Sequence, residues 1–314
     1  MKKNRIKVNK KTLKRRILAR WQLYLWLVIP IVYYLVFRYY PMFGIQLAFK
    51  KYDVGLGIWG SKWIGFENFR RFFQSYYFKR VITNTLRISL YSLIAGFPIP
   101  IIFALMLNTM RNQKYKKFVQ MVTYIPHFIS VVVLVGMVMQ IFNPRIGLYG
   151  IIYSAITGET SAPDILAKSS AFPHIYVWSG IWQGVGWNSI IYLAALSGVD
   201  SELHEAARID GASRFKRVLY IDLPSIVPTI VVLLILRCGS IMGVGFEKTY
   251  LLQNDLNLAA SEVISTYSYK IAFNGAKSDF GFSTAIGLFN SAIELLLLVT
   301  VNQISRKVSE NSLW

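Results

Sequence analysis

Six apolar runs, at about residues 21–37, 86–107, 118–142, 174–198, 225–245 and 283–304, constrain this chain more than any other feature. Each approaches the ~20 residues that a helix needs to cross the hydrocarbon core of a bilayer. Backbone N–H and C=O groups find no water there, so such runs must close their hydrogen bonds internally, as helices. The sequence therefore predicts an all-α, polytopic membrane protein with six transmembrane helices. Pro30, Pro98 and Pro100 lie inside these runs and predict kinks that neighbouring helices can accommodate.

Charge supports the same reading. Only 16% of the 314 residues are charged, against about a quarter in soluble domains. A net charge of +20 would point to nucleic acid in a soluble protein. Here the Lys and Arg residues cluster beside apolar runs, as the positive-inside rule requires, and no nucleic-acid partner is expected. Residues 1–20 carry ten Lys/Arg and no acid. A basic start before an apolar run also marks a signal peptide, but no small-residue cleavage site follows. The expectation is a basic cytoplasmic tail over 1–20 and a membrane domain over 21–314, with both termini cytoplasmic. That topology places 20 basic residues inside and 13 outside.

The first outer loop is both basic and aromatic. Trp63, Phe66, Phe69, Phe72, Phe73, Tyr76, Tyr77 and Phe78 alternate with Arg and Lys. Such a segment suits a helix lying at the interface with its rings at headgroup depth; a surface for acidic sugar chains is the alternative. The segments 143–173 and 246–280, rich in turn residues, are expected outside as loops.

Between the fourth and fifth runs the chain turns polar and helix-prone over 199–224. Asp200 or Ser201 can cap a helix whose first turns hold Glu202 and Glu205. Ala206 and Ala207 keep that helix slim, and Gly211 can turn the chain. A second helix is expected from about Ala212 to Tyr220, stopped by Leu223-Pro224.

The run Glu205-Ala206-Ala207-Arg208-Ile209-Asp210-Gly211-Ala212, closed by Leu223-Pro224, resembles the signature EAA loop of permease subunits in binding-protein-dependent ABC importers. The maltose-type sugar branch fits best. Gly65-Phe66-Glu67-Asn68-Phe69, Asn84-Thr85, Pro126 and Ile129-Ser130 agree with it. Gly245-Phe246-Glu247, Tyr250-Leu251-Leu252 and Ala285-Ile286-Gly287-Leu288-Phe289 resemble the polysaccharide and complex-oligosaccharide permeases more narrowly. The resemblance covers nearly everything after residue 20.

It implies the type I importer permease fold in a bacterial cytoplasmic membrane and a division of labour. The loop would be a coupling helix seated on a separate ATPase subunit, with Glu205, Ala206, Ala207, Asp210, Gly211, Ala212 and Pro224 as the coupling residues. The implied partners are a second homologous permease, two ATPase subunits, an extracytoplasmic binding protein and an oligosaccharide. No cofactor or metal is expected in this chain, and ATP and Mg belong to the ATPase subunits. The chain itself has no Gly-x-x-x-x-Gly-Lys-Ser/Thr run to cradle phosphates, so it is expected to be a transport subunit and not an enzyme.

Sugar sites combine aromatic rings with a few placed polar groups. In the fourth run, Gln183, Trp187, Asn188 and Tyr192 offer both, the first three at spacings that share one broad helical face. Arg237, an ionisable group inside the fifth run, is costly against lipid and marks a protein-lined or watery interior. It either binds an acidic sugar or pairs with Glu294 of the sixth run. Two other readings stand beside the importer. An ion-gradient-driven secondary transporter needs coupling carboxylates inside the spans, where Glu294 is the one candidate. An enzyme acting on lipid-linked glycans needs a catalytic cluster at a membrane face, and none is visible.

Overall fold

In the computed structural model, residues 19–273 and 278–308 are described, so the basic tail lies, apart from Ala19 and Arg20, outside the described residues. Helix follows helix, and the one sheet among the described residues is a short antiparallel ribbon pairing β1 (Lys50–Lys51) with β2 (Lys62–Trp63).

Among the described residues, four helices are each long and apolar enough to cross a membrane: α1 (Trp21–Phe49), the 31-residue Phe78–Asn108 helix, Arg214–Gly239 and Phe280–Lys307. The first runs past the end expected near residue 37. It continues through a π turn into a 3₁₀ segment that carries Pro41 in its first turn, the change of pairing coinciding with the missing proline N–H. None of the α1 residues from Trp21 to Tyr34 is buried, so that stretch offers its whole circumference to lipid or to another subunit.

The aromatic outer loop does not lie wholly at the interface. In α2 (Glu67–Phe73), Asn68 and Phe72 are buried. The Asn68 amide donates to the carbonyls of Ala48 (3.0 Å) and Lys50 (3.1 Å), stapling the helix to the end of α1. Phe72 packs into a core with Val81, Ile264, Tyr267, Phe282 and Ile286; burying such a ring is worth roughly 2–3 kcal/mol. Phe66, Tyr76 and Trp63 stay exposed and fit the interfacial role.

The second apolar run forms α3 (Phe78–Gly96) and α4 (Pro98–Asn108), which join end to end. The third run, expected as one span, breaks. Gln113–Phe128 (α5) and Val131–Ile141 (α6) meet at 101°. Pro126 opens a 3₁₀ turn, Ile129 is extended, and the Ser130 hydroxyl accepts from Val133 N–H (3.3 Å), capping a new helix. An apolar run hides such a break because Ser130 reads as one polar residue in a greasy stretch. After α7 (Leu148–Thr157), α8 (Phe172–Ser197) runs 26 residues, about 39 Å. It spans by length, but its tryptophans, glycines, Gln183 and Asn188 leave it less apolar than the four helices above. It lies against α3, α4, α5 and the Arg214–Gly239 helix. Gly186 permits the closest approach: a β-carbon there would collide with the Thr123 carbonyl of α5.

Of the segment from 246 to 280, expected as an outer loop, residues 246–273 form helices and turns. Short helices α11 (Phe246–Leu252), α12 (Leu258–Ser261) and α13 (Ile264–Phe273) dock on α3. Asn84 donates to the carbonyls of Ala259 and Glu262, both at 3.0 Å, and the Thr85 hydroxyl accepts from Ile264 N–H (3.0 Å). Arg80 pairs with Glu262, which also faces Lys270 at 3.8 Å. The chain then closes with α14 (Phe280–Val308), which packs along α1, α2 and α13.

Candidate functional site

Two adjoining cavities open along α8. The smaller, about 240 Å³, is lined by hydroxyls of Ser89, Ser92 and Ser240, the amides of Gln183 and Asn188, and the cations of Arg237 and Lys248. The larger, about 690 Å³, is walled by Trp187, Tyr192, Ile190, Ile191, Leu233 and Leu236. Gly96, Pro100, Asn188, Arg237 and Ser240 line both. A mostly apolar wall with a few convergent polar groups is the usual composition of a small-molecule site. The lining of neither cavity includes a carboxylate, so the net charge facing the space is positive.

The five residues singled out from the sequence all line this space, but with different duties. Asn188 and Arg237 are exposed to it. Gln183 also donates to the Ile129 carbonyl (2.9 Å), satisfying an acceptor left free where α5 and α6 break. Trp187 stacks on His127, ring centroids 4.4 Å apart and planes 4° apart, and so braces the same bend. Tyr192 is 3% exposed and packs with Ile101, Ala104, Leu196 and Ile226; it is mainly a wall. Arg237 does not pair with Glu294. The Glu294 carboxylate accepts from Asn290 (3.2 Å) instead, and among the described residues Arg237 has no carboxylate within 4.0 Å.

Lys248 was missed from the sequence. It sits on α11, next to Glu247, in a stretch that looked like an outer loop. In the fold its Nζ donates to the Tyr176 carbonyl (2.8 Å) and lies 4.8 Å from the Tyr176 ring. Burial pulls the ammonium down to about 8, well below the usual lysine range. A lysine amid Phe246, Thr249 and Tyr250 was the available signal, since a cation in an apolar setting calls for a reason.

At the far end of α8 the polar loop folds as α9 (Ser201–Ile209), capped by Asp200, whose carboxylate accepts from Glu202 N–H (2.9 Å). Gly211 follows at φ +75°, the left-handed region where a β-carbon is penalised. Ser213 caps the next helix by accepting from Lys216 N–H (3.3 Å). That helix, α10, does not stop at Leu223-Pro224. It runs unbroken from Arg214 to Gly239. A π turn at Val218–Asp222 precedes Pro224, which enters in the first turn of the following α-helical stretch, where a proline is tolerated.

The outer side of α9 is open: Glu202, Glu205, Ala206 and Ile209 are exposed, Ile209 at 88%, while His204, Ala207 and Ala212 are partly covered. Asp210, Gly211 and Pro224 are also exposed. The inner side is anchored. His204 Nε2 lies 3.1 Å from the buried Asp222 carboxylate, which also accepts from Asn108 (3.3 Å). The loop helix is thus tied to both α4 and α10.

Residues 78–310 match the family described as binding-protein-dependent transport system inner membrane component. The chain is 39% identical to Protein LplB of Bacillus subtilis (strain 168), over 94% of this chain and 91% of that one. It is 38% identical to the polygalacturonan/rhamnogalacturonan transport system permease protein YteP of the same organism, over 98% and 95%. Among solved structures it is similar to a chain of a bacterial ABC transporter involved in the import of the acidic polysaccharide alginate. There the TM-score is 0.85 at 40% identity, covering 95% of this chain and 99% of that one. A second structure, of a bacterial alginate ABC transporter in complex with an alginate pentasaccharide-bound periplasmic protein, aligns equally well at 39% identity.

Proposed function

The chain belongs to the binding-protein-dependent transport system inner membrane component family, and from that membership we propose that it is the permease subunit of an ABC importer for oligosaccharides or polysaccharide fragments. The observation that carries this reading is a polar, cation-lined cavity inside a bundle of apolar helices, joined through α8 to an exposed helix at the bundle's end. A sugar has hydroxyls for Ser89, Ser92, Gln183 and Asn188 and a C–H face for the rings nearby. The positive lining favours cargo that carries carboxylates, such as uronate-containing chains; relatives named for alginate and for polygalacturonan/rhamnogalacturonan agree with that preference.

Energy enters elsewhere. The exposed face of α9, with Glu205, Ala206 and the turn at Asp210-Gly211-Ala212, seats in a partner ATPase that holds ATP and Mg. A second, homologous permease completes the pathway, and an extracytoplasmic binding protein delivers the cargo. Six spans, with α8 and the bent α5–α6 pair among them, leave both termini on one side, and the basic residues flanking the spans favour the cytoplasmic one. The working cycle is alternating access: closure of the ATPases pushes α9, and its ties to α4 and α10 carry that push to the helices lining the cavity. Uptake of a labelled oligogalacturonide by cells bearing Glu205→Ala tests the scheme. Lost uptake with normal membrane insertion supports it; unimpaired uptake overturns the coupling role.

A further inference from the structure

Behind α9 lies a third cavity, about 310 Å³, that shares no lining residue with the two along α8. Arg111, Arg208, Arg214 and Arg217 line it together with His204 and Asp222. The one carboxylate is already engaged by His204 and Asn108. Among the described residues, none of the four guanidiniums has a carboxylate within 4.0 Å. Arg217 goes further: its Nε is buried with no hydrogen-bond partner. Four like charges around one cavity repel each other, and the buried Arg217 donor left unsatisfied adds a cost of its own. An anion with several acceptor oxygens removes both costs, and guanidinium forks match phosphate geometry.

Position identifies the source of that phosphate. The cavity lies where two candidate membrane-spanning helices end, Phe78–Asn108 at its last residue and Arg214–Gly239 at its first turn. Helices of 31 and 26 residues, about 46 and 39 Å long, outreach the ~30 Å hydrocarbon core, so their ends reach headgroup depth. Phe215 and Tyr220 are 74% and 72% exposed on the adjoining turns, a surface suited to acyl chains. Basic pockets between spanning helices at the cytoplasmic side are where anionic headgroups bind. We propose that this cavity holds the phosphate of an anionic phospholipid and that its occupancy fastens α9 to α4 and α10.

Native mass spectrometry of the full-length chain tests this, with phosphatidylglycerol, phosphatidylcholine and inorganic phosphate as probes. Wild-type protein should retain phosphatidylglycerol over phosphatidylcholine. Each arginine removed should weaken retention roughly five-fold, so Arg214→Gln with Arg217→Gln should erase the preference, while Arg214→Lys keeps part of it. Lys168→Gln, far from the cavity in sequence and absent from its lining, should change nothing. If the double variant does not fold, Arg111→Gln, an exposed position, carries the test with its five-fold loss. Equal retention by wild type and variants overturns the proposal. So does retention of inorganic phosphate with no preference between the lipids, or displacement of the lipid when partner subunits bind, which would assign the arginines to protein carboxylates.

Discussion

His204 Nε2 and Asp222 Oδ1 stand 3.1 Å apart, linking the exposed loop helix to a carboxylate that is 2% exposed at the base of α10. If α9 receives the ATPase stroke, this contact and the Asn108–Asp222 bond are the path by which it reaches two cavity-lining helices. Asp222→Ala removes the acceptor for both and leaves the Asn108 donor partly buried and unpaired, a cost of about 1–3 kcal/mol. Transport per ATP hydrolysed should fall in the reconstituted importer while hydrolysis itself persists. Transport and hydrolysis declining in parallel would show that the contact serves stability alone.

Gly211 isolates backbone conformation from space. No atom lies within 4 Å of a β-carbon built there, yet φ is +75°. A substituted residue therefore meets strain without collision, about 1–2 kcal/mol. Gly211→Val should abolish uptake and Gly211→Asn should keep a measurable fraction, because asparagine visits the left-handed region more readily. Equal uptake by the two variants would mean that the turn is not set by this residue.

Asp200 and Gly211 mark how much of this loop is legible in the sequence. The cap at Asp200 and the turn at Gly211 are local chemistry, and both were readable from neighbours within a few positions. The break at Ile129-Ser130 was not, because hydropathy averages over a window and a single cap does not disturb it. The continuity of α10 through Pro224 was hidden for a related reason: a π turn leaves no compositional mark. The cavity itself is non-local. Gln183, Asn188 and Arg237 could be nominated one helix at a time, whereas Lys248 joins them only because α11 folds back over Tyr176, 72 positions away. The contact of α2 with the core depends likewise on Asn68 finding carbonyls 18 and 20 residues earlier.

Lys248 gives the cavity a pH signature. Its ammonium titrates at about 8 because burial disfavours the charged form, so it is mostly charged at pH 7 and mostly neutral at pH 9. Uptake of a carboxylate-bearing oligosaccharide should therefore fall as pH rises through about 8, whereas uptake of a neutral one of equal length should not. Lys248→Met should flatten the profile and lower acidic uptake at pH 7. An unchanged profile in that variant would assign the dependence to another group.

Arg237 and Asn188 both line the two cavities along α8, so a ligand in either space meets the two side chains. Their chemistry differs, and so should their variants. Among the described residues Arg237 has no carboxylate within 4.0 Å, leaving its five donors for cargo. Losing a charge-assisted hydrogen bond costs about 1.5–3 kcal/mol, or roughly 10- to 100-fold. Arg237→Gln should therefore reduce uptake of acidic oligosaccharides by that order and spare neutral ones. Asn188→Leu removes donors and acceptors that serve any hydroxyl, so it should weaken both cargoes alike. Competition uptake with acidic and neutral oligosaccharides in one vesicle preparation separates the two outcomes. Equal losses for both cargoes in Arg237→Gln would make the residue part of the wall and return the charge preference to Lys248.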